Sequence, residues 1–428
     1  MSQKPIYGFD FGTSNSAISI IQDGKAKSLD INQYGQDKTI MPTLLYFNEK
    51  ETFFGSEAES KHREVNDPKA RYIRAIKSAA SIAYQDGTNI HGEYRTFVDL
   101  ISTFISHVKE KSDSIVGEDV KDIVIGRPVK FSDNKEDDQL AQTRVYEAAE
   151  KAGFENIHFT YEPIGATFNA TESLNSGDNI LTFDFGGGTL DFHLLKYNGS
   201  EIQTINTHGI PIGGTDITKY ILAHKVLSHF GQGVEYTDKW RDWRSGTKSV
   251  PNSLPSSFLD FDTQRDSKYY QRLYDSIKEV QWEAKEGPLP QLEALKTCLE
   301  ERYFFDIFDE AEAAKIALSS NDLTKIRFKK KNVDISESIS RADFDDMLSY
   351  RVEKKITKGL EQLFEDSEVQ AEDINVILRI GGSSEIPFFS NQLSQLFPAS
   401  KIIRSDIFGG VSKGLARIGH DNISQYLI

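Results

Sequence analysis

Two segments of the chain follow one uncommon order: an apolar strand runs into aspartate, phenylalanine and glycine, and ends on hydroxyl side chains. The first is Ile6-Tyr7-Gly8-Phe9-Asp10-Phe11-Gly12-Thr13-Ser14-Asn15-Ser16; the second is Ile180-Leu181-Thr182-Phe183-Asp184-Phe185-Gly186-Gly187-Gly188-Thr189-Leu190-Asp191. Glycine at a strand end lets backbone N–H groups approach an anion closely and adopt positive φ where needed. Gly12, Thr13 and Ser14 in one segment, and Gly186, Gly187, Gly188 and Thr189 in the other, are therefore candidate phosphate-binding residues. An aspartate in the same place would repel bare phosphate. Asp10 and Asp184 make chemical sense with a divalent cation between them, most simply Mg2+ with its waters. The pair predicts a Mg–nucleotide clamp that holds a phosphate chain from two sides.

Taken singly, each segment also fits an ordinary tight turn. Asp184 follows Asp10 by 174 residues, which suggests a duplicated architecture. A third glycine turn extends the theme: a strand Val376-Ile377-Leu378-Arg379-Ile380 leads into Gly381-Gly382-Ser383-Ser384, with Pro387 near a helix start.

The rest of the chain limits the setting. With 428 residues there is enough polypeptide for two lobes with full cores. The balance of 50 basic against 65 acidic residues disfavours nucleic acid or an anionic membrane as the main partner. The run Lys329-Lys330-Lys331 reads as the solvated tip of a hairpin. A single cysteine, Cys298, excludes internal disulfides and suits a reducing compartment. No apolar stretch approaches the ~18 residues needed to span a bilayer, and the amino terminus runs directly into a strand with no signal peptide. These features predict a soluble cytoplasmic protein.

Strands and helices alternate along the chain, which argues for an α/β class. A first lobe is expected over 1–205. It holds strands at Ile18–Ile21, Leu44–Phe47 and Ile123-Val124-Ile125-Gly126-Arg127-Pro128 (ended by the proline), and helices at Val98–Ser112 and Asp137–Ala152. After Asn156–Phe159, the segment Tyr161-Glu162-Pro163-Ile164-Gly165-Ala166 opens a small-residue helix. A second lobe is expected over 206–428, with the second glycine turn near the boundary. It carries another strand-to-helix turn, Gly213-Gly214-Thr215-Asp216, and a helical insertion over about 231–320. The first part of that insertion, about 231–265 with Trp240 and Trp243, has little periodicity. Strands near Ile326–Phe328 and Asn332–Ile335 and a helix capped by Ser340 follow.

The ordered set of turns resembles the ATPase domain of DnaK-type heat-shock chaperones, in the actin, hexokinase and heat-shock ATPase superfamily. The resemblance rests on the two Asp-Phe-Gly segments, on Ala75-Ile76-Lys77, on Tyr161–Ala166, on Glu312-Ala-Ala-Lys315-Ile-Ala-Leu-Ser319 and on Ile380-Gly-Gly-Ser-Ser-Glu-Ile-Pro387. It implies a two-lobed actin-like fold of duplicated ribonuclease-H-like subdomains around a central nucleotide cleft. It also implies ATP/ADP and Mg2+ as ligands and slow ATP hydrolysis. Thr13 and Ser14 would meet the β- and γ-phosphates, and Asp10 and Asp184 would hold Mg2+ through water. Lys77 would orient the attacking water, with Asp191 near that water and Glu162 close to the metal's waters. Gly186, Gly187 and Thr189 would cradle the phosphates from the second lobe, and Gly213 and Gly214 would approach phosphates or ribose. Glu312, Lys315 and Ser319 match ribose and adenine contacts, and Gly381, Gly382 and Ser383 line the other side of the base. On the residues alone, Lys77 also fits an exposed helix lysine, Glu162 a helix-start carboxylate facing the dipole, and Glu312 with Lys315 a surface ion pair.

The departures from the family pattern are specific. The chain ends at Ile428, so no peptide-binding domain is expected. Pro128 matches a switch proline, but Glu136 stands where an arginine is usual. Glu385 stands where the family has an arginine that stacks on adenine, which should loosen base recognition. The segment Phe408-Gly409-Gly410-Val411-Ser412-Lys413-Gly414 lacks the usual acidic residue, though its glycines suit a close-packed helix. The leading expectation is a stand-alone heat-shock-type ATPase that acts on an unknown protein partner or client. The alternatives are a small-molecule (sugar or acid) kinase of the superfamily and a nucleotide-gated module that does not hydrolyse. No Gly-x4-Gly-Lys-Ser/Thr occurs, which excludes a P-loop NTPase.

Overall fold

The computed structural model describes residues 4–64, 70–132, 134–240, 247–260, 267–285, 287–365, 367–404 and 409–428. Trp243, Phe408 and the end of the irregular stretch, 261–265, lie outside the described residues. The chain divides into two units, one formed by 1–214 with 355–428 and the other by 215–354.

The first unit is built on two sheets with one topology. Strands β1 (Ile6–Phe11), β2 (Asn15–Gln22) and β3 (Lys25–Ser28) form an antiparallel meander. Asp23 and Gly24, at the tip between β2 and β3, both have positive φ, as the tight hairpin turn demands. β4 (Asp122–Arg127) and β5 (Asn156–Tyr161) add on the other side of β1, both parallel to it in register. The second sheet repeats the plan. β6 (Asn179–Phe185), β7 (Leu190–Tyr197) and β8 (Ile202–Ile210) form the meander, and β9 (Val376–Ile380) and β10 (Lys401–Arg404) are the parallel additions to β6. Both sheets therefore read 3-2-1-4-5, and β1 and β6, the two strands ending in Asp-Phe-Gly, hold the same central place. Tyr7 and Phe9 share one face of β1, and Phe183 and Phe185 one face of β6; all four are fully buried.

Helices cover the sheets. α1 (Phe97–Val116) starts at a Thr96–Asp99 capping box and ends on Gly117 in the left-handed region. α2 (Lys135–Lys151) is capped by Asn134, with three acids in its first turn. α1 packs its Phe97, Leu100, Ile101 and Phe104 into the first core. α3 (Glu162–Asn169) and α4 (Gly410–His420) cross one another at glycines: a Cβ on Gly414 would lie 1.8 Å from the Gly165 carbonyl oxygen. That close approach lets Ile164, Ala166, Val411, Leu415 and Ile418 share one apolar cluster with Val124 of the first sheet and Ile180, Val376 and Leu378 of the second. The same helix presses on β1, where a Cβ on Gly8 would meet Ala416 N and Ser412 O at 2.2 Å.

The second unit is mainly helical. Its helices Ser267–Glu283, Pro290–Glu301 and Phe304–Ala317 break at Gly287-Pro288 and at Arg302, where φ is positive. The hairpin Leu323–Lys330 with Val333–Ser340 turns at Lys331, and the three lysines pair with Asp334, Asp306 and Glu301. Ser340 caps the helix Arg341–Leu348 through a capping box with Asp343. The irregular stretch holds a pair of short strands, Glu235–Tyr236 and Lys248–Ser249, and a helical turn, Ser253–Ser256.

Candidate active site

Because β1 and β6 are topological equivalents, their glycine turns come to one place in the first unit. A Cβ on Gly187 would fall 1.9 Å from Ser14 Oγ, and one on Gly188 would sit 3.7 Å from Thr13. The two turns expected from sequence to hold a phosphate chain are thus in direct contact. Turn 1 is pinned from behind, since Thr43 N–H donates to the Ser14 carbonyl at 2.8 Å and Ser16 shares a 2.8 Å hydroxyl bond with Thr43. Turn 2 is held on two sides: the Gly186 carbonyl accepts from Gly214 N–H at 2.9 Å and from Ser383 Oγ at 3.1 Å. Gly213 must be glycine here because a Cβ would meet the Gly187 carbonyl oxygen at 2.2 Å, and Gly381, at φ 79°, would press on the Phe185 carbonyl. The third glycine turn, Gly381-Gly382-Ser383, therefore buttresses the second.

Asp10 and Asp184 sit one residue before the ends of β1 and β6. Among the described residues, neither forms a hydrogen bond or close ion pair of its own. Burial, reinforced by the Glu162 carboxylate and opposed by Lys77, pushes Asp10 up to about 7. Asp184 is driven well above the usual carboxylate range by burial, with Glu162, Asp191 and Asp10 adding to it. Asp191, paired directly across the ladder from Asp184, is pushed up to about 6 by burial; the Thr189 hydroxyl, donating to it at 2.7 Å, works the other way. Three half-buried aspartates thus lie together beside the Lys77–Glu162 pair, each with its carboxyl held above the usual range. Such a group favours a divalent cation, and oxygen-only carboxylates suit Mg2+. Among the described residues, no three His, Cys, Asp or Glu side chains form a metal cage. A cation held by Asp10 and Asp184 would keep several waters, as Mg2+ does.

The cationic part comes from Lys77. It lies on a short helix, Ile76–Ala79, entered through Ala75 in the left-handed region, and it is buried. Its Nζ donates to Glu162 Oε1 at 2.6 Å. An exposed helix lysine is therefore not what the structure contains. Glu162 opens α3, and Gly126 leaves it room, since a Cβ there would come within 3.0 Å of Glu162 Cγ. Lys77 and Lys130 both exert their charge on Asp191.

Glu312, Lys315 and Ser319 lie in the second unit. Lys315 is buried and donates to both Glu312 oxygens at 2.8 Å, while Glu312 also accepts from the Thr218 hydroxyl. Ser319, half-buried, follows the end of that helix. Glu385 is an anchor for arginines: Arg404 approaches it at 2.7 Å and Arg379 at 3.5 Å. Sequence reasoning missed the Ser383 bond to turn 2 and the pinning of turn 1, both of which join residues remote in the chain. It also missed Arg127, whose signal was a charge inside the apolar strand Ile123-Val124-Ile125-Gly126-Arg127.

Comparison with known proteins agrees with this geometry. The family model described as Hsp70 protein matches residues 85–242 and 294–413. The chain is similar to a chaperone protein DnaK of Metamycoplasma hominis, 24% identical over 396 residues, covering 90% of this chain and 54% of that protein. It is also similar to heat shock 70 kDa protein 14 of Macaca fascicularis, 23% identical over 427 residues, covering 93% of this chain and 70% of that protein. The chain spans about half the length of the DnaK relatives it matches. The protein belongs to the Hsp70 family, and its mixed α/β architecture is the actin-like ATPase fold of that family.

Proposed function

We propose that this protein binds Mg-ATP at the paired glycine turns, hydrolyses it slowly, and uses nucleotide-dependent closure of its lobes, divided near residue 206, to act in chaperone-like fashion on a protein partner in the cytoplasm. The observation that carries the reading is the contact of Gly187 and Gly188 with Ser14 and Thr13 beside Asp10, Asp184 and Asp191, whose carboxyls are all pushed up by burial. Backbone N–H groups of Gly12, Thr13, Gly186, Gly187 and Gly188 bind and orient the phosphates, and the Ser14 and Thr189 hydroxyls add neutral donors. Asp10 and Asp184 would hold Mg2+ through water, and the ion would supply charge neutralisation at the phosphates. Lys77 orients the attacking water and neutralises the γ-phosphate, with Asp191 near that water and Glu162 close to the metal's waters. Phosphoryl transfer needs this positioning and charge placement more than covalent help. Gly213, Gly214, Gly381, Gly382, Ser383, Glu312, Lys315 and Ser319 hold the nucleoside end.

Calorimetric titration with ATP and ADP, with and without Mg2+, followed by single-turnover phosphate release, tests the reading. Binding is expected to be micromolar or weaker and to need Mg2+. Asp10→Asn and Lys77→Ala each abolish turnover in a folded protein. Normal turnover by Lys77→Ala would show that its role is misassigned. Glu385, held by two arginines and not offering a guanidinium to the base, favours one other reading: a nucleotide-gated module that binds without hydrolysis. That reading predicts binding heat with no phosphate release.

A further inference from the structure

We propose that Arg127 is a positioning residue for the Lys77–Glu162 pair, and that it acts through two aromatic rings. Arg127 ends β4 with its side chain buried, an uncommon place for a guanidinium unless every N–H is used. Its partners are fully specified. Nε donates to the Pro128 carbonyl at 3.0 Å, and the two terminal nitrogens donate to the Val129 carbonyl, to Gln142 and to both oxygens of Asp138 at 3.0 and 3.1 Å. Asp138 also accepts from Phe131 N–H at 2.6 Å, which fixes the loop that leads into α2.

The guanidinium also lies over two aromatic rings. Its carbon lies 5.2 Å from the Phe131 ring centre and 5.4 Å from that of Tyr161. Phe131 is in turn 5.7 Å from Lys77 Nζ. Tyr161 is the register partner of Arg127 across β4 and β5, and it is the residue immediately before Glu162, at the cap of α3. The contacts close on themselves: Arg127 to Phe131, Phe131 to Lys77, Lys77 to Glu162 at 2.6 Å, and Glu162 through the backbone to Tyr161 and back to Arg127. A lysine and a glutamate that must keep one geometry near a reacting phosphate are thus braced from both sides by a single planar group.

Only arginine supplies the fork and a planar cation together, so lysine is not a substitute. The brace touches no phosphate turn, so its loss should spare nucleotide affinity while misplacing Lys77. The inference rests on the nucleotide reading above only for the part of its test that measures turnover.

The test compares wild type with Arg127→Gln, Arg127→Lys and Phe131→Leu in the full chain. The first readout needs no nucleotide: the rate at which Lys77 is acetylated by an amine-reactive ester, followed by mass spectrometry of the peptide, with Lys109 as internal standard. Arg127→Gln and Phe131→Leu are expected to raise Lys77 labelling about fivefold relative to Lys109, and Arg127→Lys to recover little. The second readout is single-turnover hydrolysis, expected to fall 10- to 30-fold in Arg127→Gln with the Kd for Mg-ATP within threefold of wild type. Combining Arg127→Gln with Phe131→Leu should add almost nothing to either effect, because both break one route. Unchanged Lys77 labelling in Arg127→Gln and Phe131→Leu overturns the proposal, whatever the wild type does with ATP. So does a loss of turnover that tracks a loss of nucleotide affinity. A wild type that neither binds nor hydrolyses ATP sinks the functional reading but leaves the labelling result to decide this one.

Discussion

Asp10 shows what a binding site costs a protein with nothing bound. An aspartate in the unfolded chain titrates near ~4, while in the folded protein burial and Glu162 push Asp10 up to about 7. The folded state therefore holds a proton through a window in which the unfolded chain has released it. Stability falls as pH rises from about 4 to about 7, and above that the penalty is fully present. Asp191 contributes in the same sense over a shorter window, up to about 6. Asp10→Asn removes the charge, so without metal it should be more stable than wild type at pH 8, by about 1–3 kcal/mol. The difference should shrink towards pH 4; thermal melts in EDTA across that range measure it. The same variant should lose Mg-dependent nucleotide binding, and wild-type affinity should fall as pH drops below about 7, because protons and the cation compete for the same oxygens. A variant less stable than wild type at pH 8 would mean that Asp10 is satisfied by a partner other than a cation.

Among the elements, the helix crossing is the most exacting. A Cβ on Gly414 would lie 1.8 Å from the Gly165 carbonyl oxygen, and backbone on both sides leaves nothing to rotate away. Gly414→Ala should therefore destabilise by at least about 1–3 kcal/mol, the range for overpacked interiors. Gly188→Ala is the matched control: its Cβ would make only ordinary contact at 3.7 Å with Thr13, and its effect on stability should stay within about 0.5 kcal/mol. Equal melting temperatures for the two variants would contradict the crossing as described.

Elements were legible in the sequence to the degree that their signals are local. The helices near Val98–Ser112 and Asp137–Ala152 were readable from the spacing of their apolar residues, and the Ser340 cap because capping chemistry acts within a turn. The Asp-Phe-Gly turns were readable because glycine and aspartate at a strand end carry their chemistry with them. Their convergence could be inferred only from duplication, and the matching 3-2-1-4-5 sheets supply the physical reason for it. The hydrogen bond from Ser383 to Gly186 was not readable, nor was the brace around Arg127, because both depend on which strands become neighbours. Glu385 could be flagged as an anomaly, yet only the register of β9 and β10 shows which arginines hold it.

For the molecule as a whole, the adenosine role proposed for Glu312 and Lys315 is testable separately from that of the phosphate turns. Mg-ATP at about 100 times its Kd should add roughly 2.7 kcal/mol to the stability of the state that binds it. Hydrogen exchange followed by mass spectrometry should show where that protection goes. It is expected at the ends of β1 and β6, at Gly213-Gly214, and also in Phe304–Ala317, with ADP lacking metal giving much less. Protection confined to the first unit would leave the adenosine role of Glu312 and Lys315 without support.

The seating of α4 against Gly8 also dictates the order in which the protein can be made. The strand bearing the first acid leaves the ribosome roughly 400 residues before the helix that shields its underside, an interval of tens of seconds at ordinary elongation speeds of about 5–20 residues per second. For all that time the face of the nascent sheet that carries Gly8 and Val124 has no lid. A member of a family that attends to other polypeptides is thus itself a slow and exposed one to synthesise.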